Sequence, residues 1–96
     1  MLLEVITPDE TLFRGNVSQV VLPGLDGSFG ILKGHAPMVS ALSEGPVKVN
    51  QLVSENNGEE FSGKYNDEFK NTESFAFDVQ GGVIEVKDDR IIVLAE

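Results

Sequence analysis

Apolar and polar residues alternate with a period of two over short stretches through most of this chain. Residues 2–7 are rich in β-favouring side chains and stop at Pro8-Asp9-Glu10, where proline fixes φ and the aspartate can bond its own backbone. Thr11-Leu12-Phe13-Arg14 then runs back to Gly15-Asn16, which predicts a two-residue turn. From there Val17, Gln19 and Val21 alternate with Ser18, Val20 and Leu22, a strand with one mostly buried face. A short apolar run over 38–42 meets the turn Ser43-Glu44-Gly45-Pro46, after which Val47 and Val49 alternate with Lys48 and Asn50. Near the end, Phe75, Phe77 and Val79 alternate with Ala76 and Asp78, and Gly81-Gly82 interrupts. Ile84 and Val86 resume the pattern, and Lys87-Asp88-Asp89-Arg90 turns into a last apolar run over 91–95. No stretch carries a helical period. The pattern predicts an all-β fold: a single β-sandwich or flattened barrel of about eight to ten short strands over residues 1–96.

The stretch 20–40 organises the rest. Gly24, Gly27, Gly30 and Gly34, with Pro23 and Pro37, sit between apolar runs and are too closely spaced for a helix. A sharply folded loop bearing Asp26, Ser28, Phe29, Lys33 and His35 is the natural working surface. Phe29 alternates with Ile31, which favours a core position. His35, the single histidine, has two readings: a ring that caps loop backbone beside Pro37, or one that faces a partner.

Residues 54–74 differ from their surroundings. Six acids stand against Lys64 and Lys70, and the stretch is too polar to bury much. Asn56-Asn57-Gly58 has the chemistry to close a hairpin, and Phe61, Tyr65 and Phe69 would share a face if a helical turn formed. Interrupting glycines and polar turn-formers oppose that, so the expectation is a solvated loop with a few aromatics appended to the sandwich.

Charge and composition then exclude several classes. Sixteen acidic and seven basic residues give a net charge of −9, which disfavours nucleic acid and anionic lipid headgroups. Cysteine is absent, so disulfides and thiolate metal sites are excluded. No apolar run approaches the ~20 residues of a spanning helix, and the N-terminus lacks a signal-peptide pattern. No Gly-x-x-x-x-Gly-Lys-Ser/Thr or Gly-x-Ser-x-Gly occurs. A Ser-His-Asp triad would have to draw on His35 with Asp26 and Ser28 or Ser40. Neither a catalytic residue, nor a metal site, nor a cofactor is expected.

Three segments carry a resemblance. Asp26-Gly-Ser-Phe-Gly-Ile-Leu-Lys-Gly-His-Ala-Pro-Met38 resembles the Gly-x-x-Gly-Ile-x-x-Gly-His-Ala-Pro-Leu pattern of the epsilon subunit of F-type ATP synthases. Residues 3–15 are similar to that family's first hairpin and 81–95 to its closing hairpin, in family order. Together they cover most of the chain outside about 54–73.

The resemblance implies a ten-stranded β-sandwich serving as a non-catalytic central-stalk subunit, which links the gamma shaft to the c-ring in proton-coupled rotary ATP synthesis. It implies a gamma-subunit interface at Gly34, His35, Ala36, Pro37 and Met38, and a c-ring contact at Asp26, Gly27, Ser28 and Phe29. Ser28 stands where the pattern often has an acid; Asp26 is the nearby carboxylate. Residues 54–74 look like an insertion. The family's domain is usually followed by a two-helix hairpin, whereas this chain ends at Glu96, so hairpin-mediated inhibition and a nucleotide on this subunit are not expected. The implied location is peripheral, on the cytoplasmic face of a bacterial inner membrane, with no membrane insertion of its own. A free-standing carbohydrate- or peptide-binding β-sandwich is the rival reading.

Overall fold

The computed structural model describes residues 1–56 and 61–96. Its strands are β1 (Leu2–Ile6), β2 (Thr11–Gly24), β3 (Gly27–Leu32), β4 (Met38–Leu42), β5 (Gly45–Gln51), β6 (Ser74–Val79), β7 (Gly82–Lys87) and β8 (Arg90–Ala95). These eight, with one 3-10 turn at Val53–Glu55, meet the expected all-β class. Among the described residues they are fewer than the ten that the resemblance implies.

They form a β-sandwich rather than a clean barrel. One layer runs β2, β1, β8, β7, β4, with β1 and β8 parallel and the other pairs antiparallel. The other runs β3, β2, β5, β6, all antiparallel. β2 belongs to both, and its Gly24 also meets Leu42 of β4, so hydrogen bonding continues from layer to layer. Inward positions, among them Leu3, Phe13, Val20, Ile31, Ile84 and Ile91, are fully buried between the layers.

Gly15-Asn16 is not a turn. β2 passes straight through, pairing Gly15 with Leu3 and Asn16 with Leu2. The glycine serves close packing instead: a Cβ there would lie 3.0 Å from Phe61 Cδ1 and 3.1 Å from Phe13 Cζ. Within 20–40, likewise, the expected loop is mostly strand. β3 pairs with β2 from Gly27 opposite Gly24 to Leu32 opposite Gln19, leaving Leu25-Asp26 as the turn between them and residues 33–37 as the loop to β4.

Over 54–74 most described residues are exposed, and the aromatics pack on the sandwich, but the segment has two buried polar residues that the sequence did not single out. Asn56 and Asn66 are buried there. Each uses its side-chain amide as a strand would use its backbone, along the edge of β2 that β1 leaves free. Asn56 Oδ1 accepts from Asn16 N at 2.7 Å while its Nδ2 donates to Asn16 O at 2.9 Å. Asn66 Oδ1 accepts from Arg14 N at 3.3 Å while its Nδ2 donates to Arg14 O at 3.0 Å. Gln51 Nε2 donates to the carbonyls of Phe69 and Thr72, which ties the far side of the segment down.

The aromatics follow. Phe69 stacks on Phe75 at 4.2 Å, Tyr65 packs on Phe77 at 5.0 Å, and Phe61 meets Phe13 edge-on at 5.9 Å. Phe69 N donates to Tyr65 O at 3.1 Å, a single helical turn of the kind the spacing allows. The segment closes because the half-buried rings take apolar area out of water, while the two amides, with Ser62 N, Lys64 N and Tyr65 N, pair backbone groups along this edge of β2. The Asn56-Asn57-Gly58 hairpin lies outside the described residues.

At the β7–β8 turn, Asp88 and Asp89 both adopt left-handed backbone, φ 51 and 63, the twist that a two-residue antiparallel connection favours.

Two outcomes follow for stability. Replacing Asn66 with leucine removes the partner of Arg14 N, while Arg14 O keeps the donor Ser62 N at 3.3 Å, and should lower unfolding free energy in urea by about 1–3 kcal/mol; an unchanged midpoint would show that the amide mimicry contributes nothing. Asp89→Gly relieves one left-handed side chain and should raise stability by about 0.5–1 kcal/mol, read from the same curves, and a loss would contradict it.

Candidate functional site

The tip of the β2–β3 hairpin is built by glycines and stiffened by a serine. Gly27 has φ +120, and a Cβ on Gly24 would lie 2.7 Å from Gly27 O and 2.8 Å from the Phe29 ring. Phe29 is therefore folded over Gly24 and half-buried against the core, as its alternation predicted. Asp26, Gly27 and Ser28 are exposed beside it. Ser43 N donates to Pro23 O at 2.8 Å, and Ser43 Oγ lies 3.3 and 3.2 Å from the carbonyls of Pro23 and Gly24. Ser43 read as an ordinary turn residue in the sequence; its role needs the approach of a segment twenty residues away.

The other predicted cluster lies at the opposite end of β3. Gly34, His35, Ala36 and Pro37 are exposed, and Met38 is half-buried at the start of β4. His35 N donates to Leu32 O at 3.1 Å and Nδ1 donates to Ala36 O at 2.7 Å, so the ring caps the loop and remains exposed. Six extended residues separate the clusters by about 20 Å. Asp26 and Ser28 therefore do not converge with His35, and the structure assembles no triad from them. Beside His35, a cavity of about 280 Å³ is bordered by Met1, Lys33, Gly34, Asp89 and Arg90. Among the described residues, no three His, Cys, Asp or Glu side chains converge as metal ligands.

A third surface was missed in the sequence. On the outer face of the β1-β8-β7-β4 layer, Ile6, Leu94, Val83 and Ala41 stand directly opposite one another across four strands. Ile92 and Val39 lie in the next row, flanking Glu85. Val39 is 71% exposed, Leu94 55% and Val83 41%. Each strand read alone shows one or two outward apolar residues, which is ordinary. Only the register gathers them into a contiguous patch, and such patches mark protein contacts. Its polar border includes Glu4, whose carboxylate meets Arg90 at 2.8 Å and Arg14 at 3.6 Å. No aromatic side chain among the described residues is fully exposed, which removes the stacking platform that a sugar-binding sandwich would present.

Residues 1–61 match the family described as "ATP synthase, Delta/Epsilon chain, beta-sandwich domain". An ATP synthase epsilon chain from Chlorobium limicola is 36% identical over 94 residues, spanning 98% of this chain and 86% of that protein. One from Desulforamulus reducens is 38% identical over 98% of this chain, but here the chain spans only 57% of the relative's length. Among solved structures, the central stalk and c-ring of Tetrahymena thermophila mitochondrial ATP synthase contains a chain similar at TM-score 0.67 and 19% identity, covering 99% of this chain and 62% of that one. The Euglena gracilis mitochondrial ATP synthase contains another, at TM-score 0.70 and 21% identity, covering 97% and 48%. At those identities the structural likeness establishes the fold. None of these relatives supports a free-standing binding module.

The glycine at the hairpin base gives a direct check of this geometry. Gly24→Ala should displace Phe29 and loosen the tip, lowering thermal stability by about 1–3 kcal/mol and raising amide exchange at Leu25 and Asp26. Unchanged exchange would mean that the Phe29 contact does not stiffen the turn.

Proposed function

The chain belongs to the Delta/Epsilon family of ATP synthases, and on that premise we propose that it is a non-catalytic subunit of the central stalk, joining the gamma shaft to the c-ring. The observation that carries this reading is the apolar outer face of β1, β8, β7 and β4. A permanent contact with a shaft needs a broad, largely apolar surface, whereas a smaller accessory contact tolerates a polar one. The gamma subunit docks on that face, with Gly34, His35, Ala36, Pro37 and Met38 along the rim where β4 begins. Asp26, Gly27 and Ser28 at the hairpin tip meet the ring, and Phe29 supports them from within.

The role is mechanical. Torque passes between a proton-driven ring and the shaft, so the piece between them has to resist shear. Two close-packed layers joined by continuous hydrogen bonding do so better than a linker would. The subunit itself binds no nucleotide and carries out no chemistry. It sits peripherally on the cytoplasmic face of a bacterial inner membrane through its partners; among the described residues no helix is long and apolar enough to cross a membrane.

Capture of purified gamma subunit by the full chain tests this. Leu94→Glu, at the centre of the patch, should weaken capture at least tenfold, about 1.4 kcal/mol, without changing the far-UV spectrum. His35→Asp at the rim should weaken it less. Capture of gamma at wild-type affinity by Leu94→Glu would remove the apolar face from the interface.

A further inference from the structure

We propose that Leu25 is an apolar anchor that seats the β2–β3 hairpin in an apolar depression of the ring surface, with Asp26 paired to a cation at the rim of that depression. The proposal rests on the ring contact described above and names the chemistry that makes it.

Leu25 is 69% exposed, nearly as much as any large hydrophobic side chain in the protein. It occupies the first position of a two-residue turn whose neighbours, Pro23, Gly24, Asp26, Gly27 and Ser28, are all ordinary turn residues. A free turn gains nothing from leucine at that position, since the side chain neither bonds the backbone nor reaches the core. The tip is also rigid: Ser43 bonds both carbonyls at its base, and Phe29 fills the space over Gly24. A rigid apolar projection loses little conformational freedom on binding, which is the property of an anchor.

Charge selects the rest of the partner surface. Between Arg14 and Lys33, Asp26 is the only charged residue, so the hairpin offers one carboxylate and no cation. A complementary surface therefore carries a lysine or arginine beside an apolar depression. With Ser28 where the related pattern often has an acid, a contact held by charge alone would be weak and salt-sensitive. Leu25 supplies the component that salt does not screen.

The test is binding of the full chain, in complex with its gamma subunit, to the detergent-solubilised ring at low and high salt. Leu25→Ser should weaken ring binding about tenfold or more at both salts, Leu25→Met should bind like the wild type, and Asp26→Asn should lose affinity only at low salt. Capture of gamma should be unchanged in all three. Ring binding by Leu25→Ser that equals the wild type overturns the anchor while leaving the ring contact standing. Loss of gamma capture by Leu25→Ser also overturns it, by assigning the side chain to the shaft interface. A wild-type complex that fails to bind the ring at either salt removes the ring contact itself, and the anchor with it.

Discussion

β2 hydrogen-bonds to β1 along its first half and to β3 and β5 along its second, so the two layers share one backbone and cannot slide independently. The register shift between Val17 and Gln19 lets the strand change partners as it crosses from layer to layer. A two-layer sandwich held by side-chain packing alone could shear at its interface. Here shear would have to break a continuous ladder, and a ladder gives all at once or not at all.

The same strand explains the segment after β5. Along residues 11–16, one edge of β2 faces β1 and the other would be bare. Asn56 and Asn66 cover it with their amides, each matching one donor and one acceptor of the strand, and the backbone N–H groups of Leu52, Ser62, Lys64 and Tyr65 donate to its carbonyls beside them. Phe61, Tyr65 and Phe69 then seal the aromatic end of the core around Phe13, Phe75 and Phe77. An exposed strand edge invites pairing with another chain, and this cover removes the invitation where β2 is longest.

With the core closed in this way, the surfaces left for partners differ in kind. The outer face of β1, β8, β7 and β4 is apolar and broad. The hairpin tip is narrow, mostly polar and stiff. The loop at residues 34–37 borders the former, and β3 holds the two predicted clusters about 20 Å apart. On the proposed reading, a part placed between a shaft and a ring requires two contacts that do not compete for the same residues, and this separation is compatible with them.

Much of this was legible in the chain. Strand alternation placed β5, β6 and β7, and β-favouring or apolar runs placed β1 and β8, because both signals depend only on neighbours along the sequence. The inward turn of Phe29 and the turn at Asp88-Asp89 followed from the same local chemistry. The motif at 26–38 and its flanking hairpins pointed to the family before any geometry was known. What local pattern could not decide was every feature requiring two distant segments. Gly15 looked like a turn because its packing partner, Phe61, lies far along the chain. Asn56 and Asn66 looked solvated because the backbone edge they satisfy belongs to β2. The apolar face stayed invisible because Ile6, Val39, Val83 and Leu94 become neighbours only when the strand register aligns them. Periodicity is a property of consecutive residues, whereas register and the covering of edges are properties of pairing. For this protein the sequence by itself determined the strands and the family, and tertiary pairing decided the surfaces.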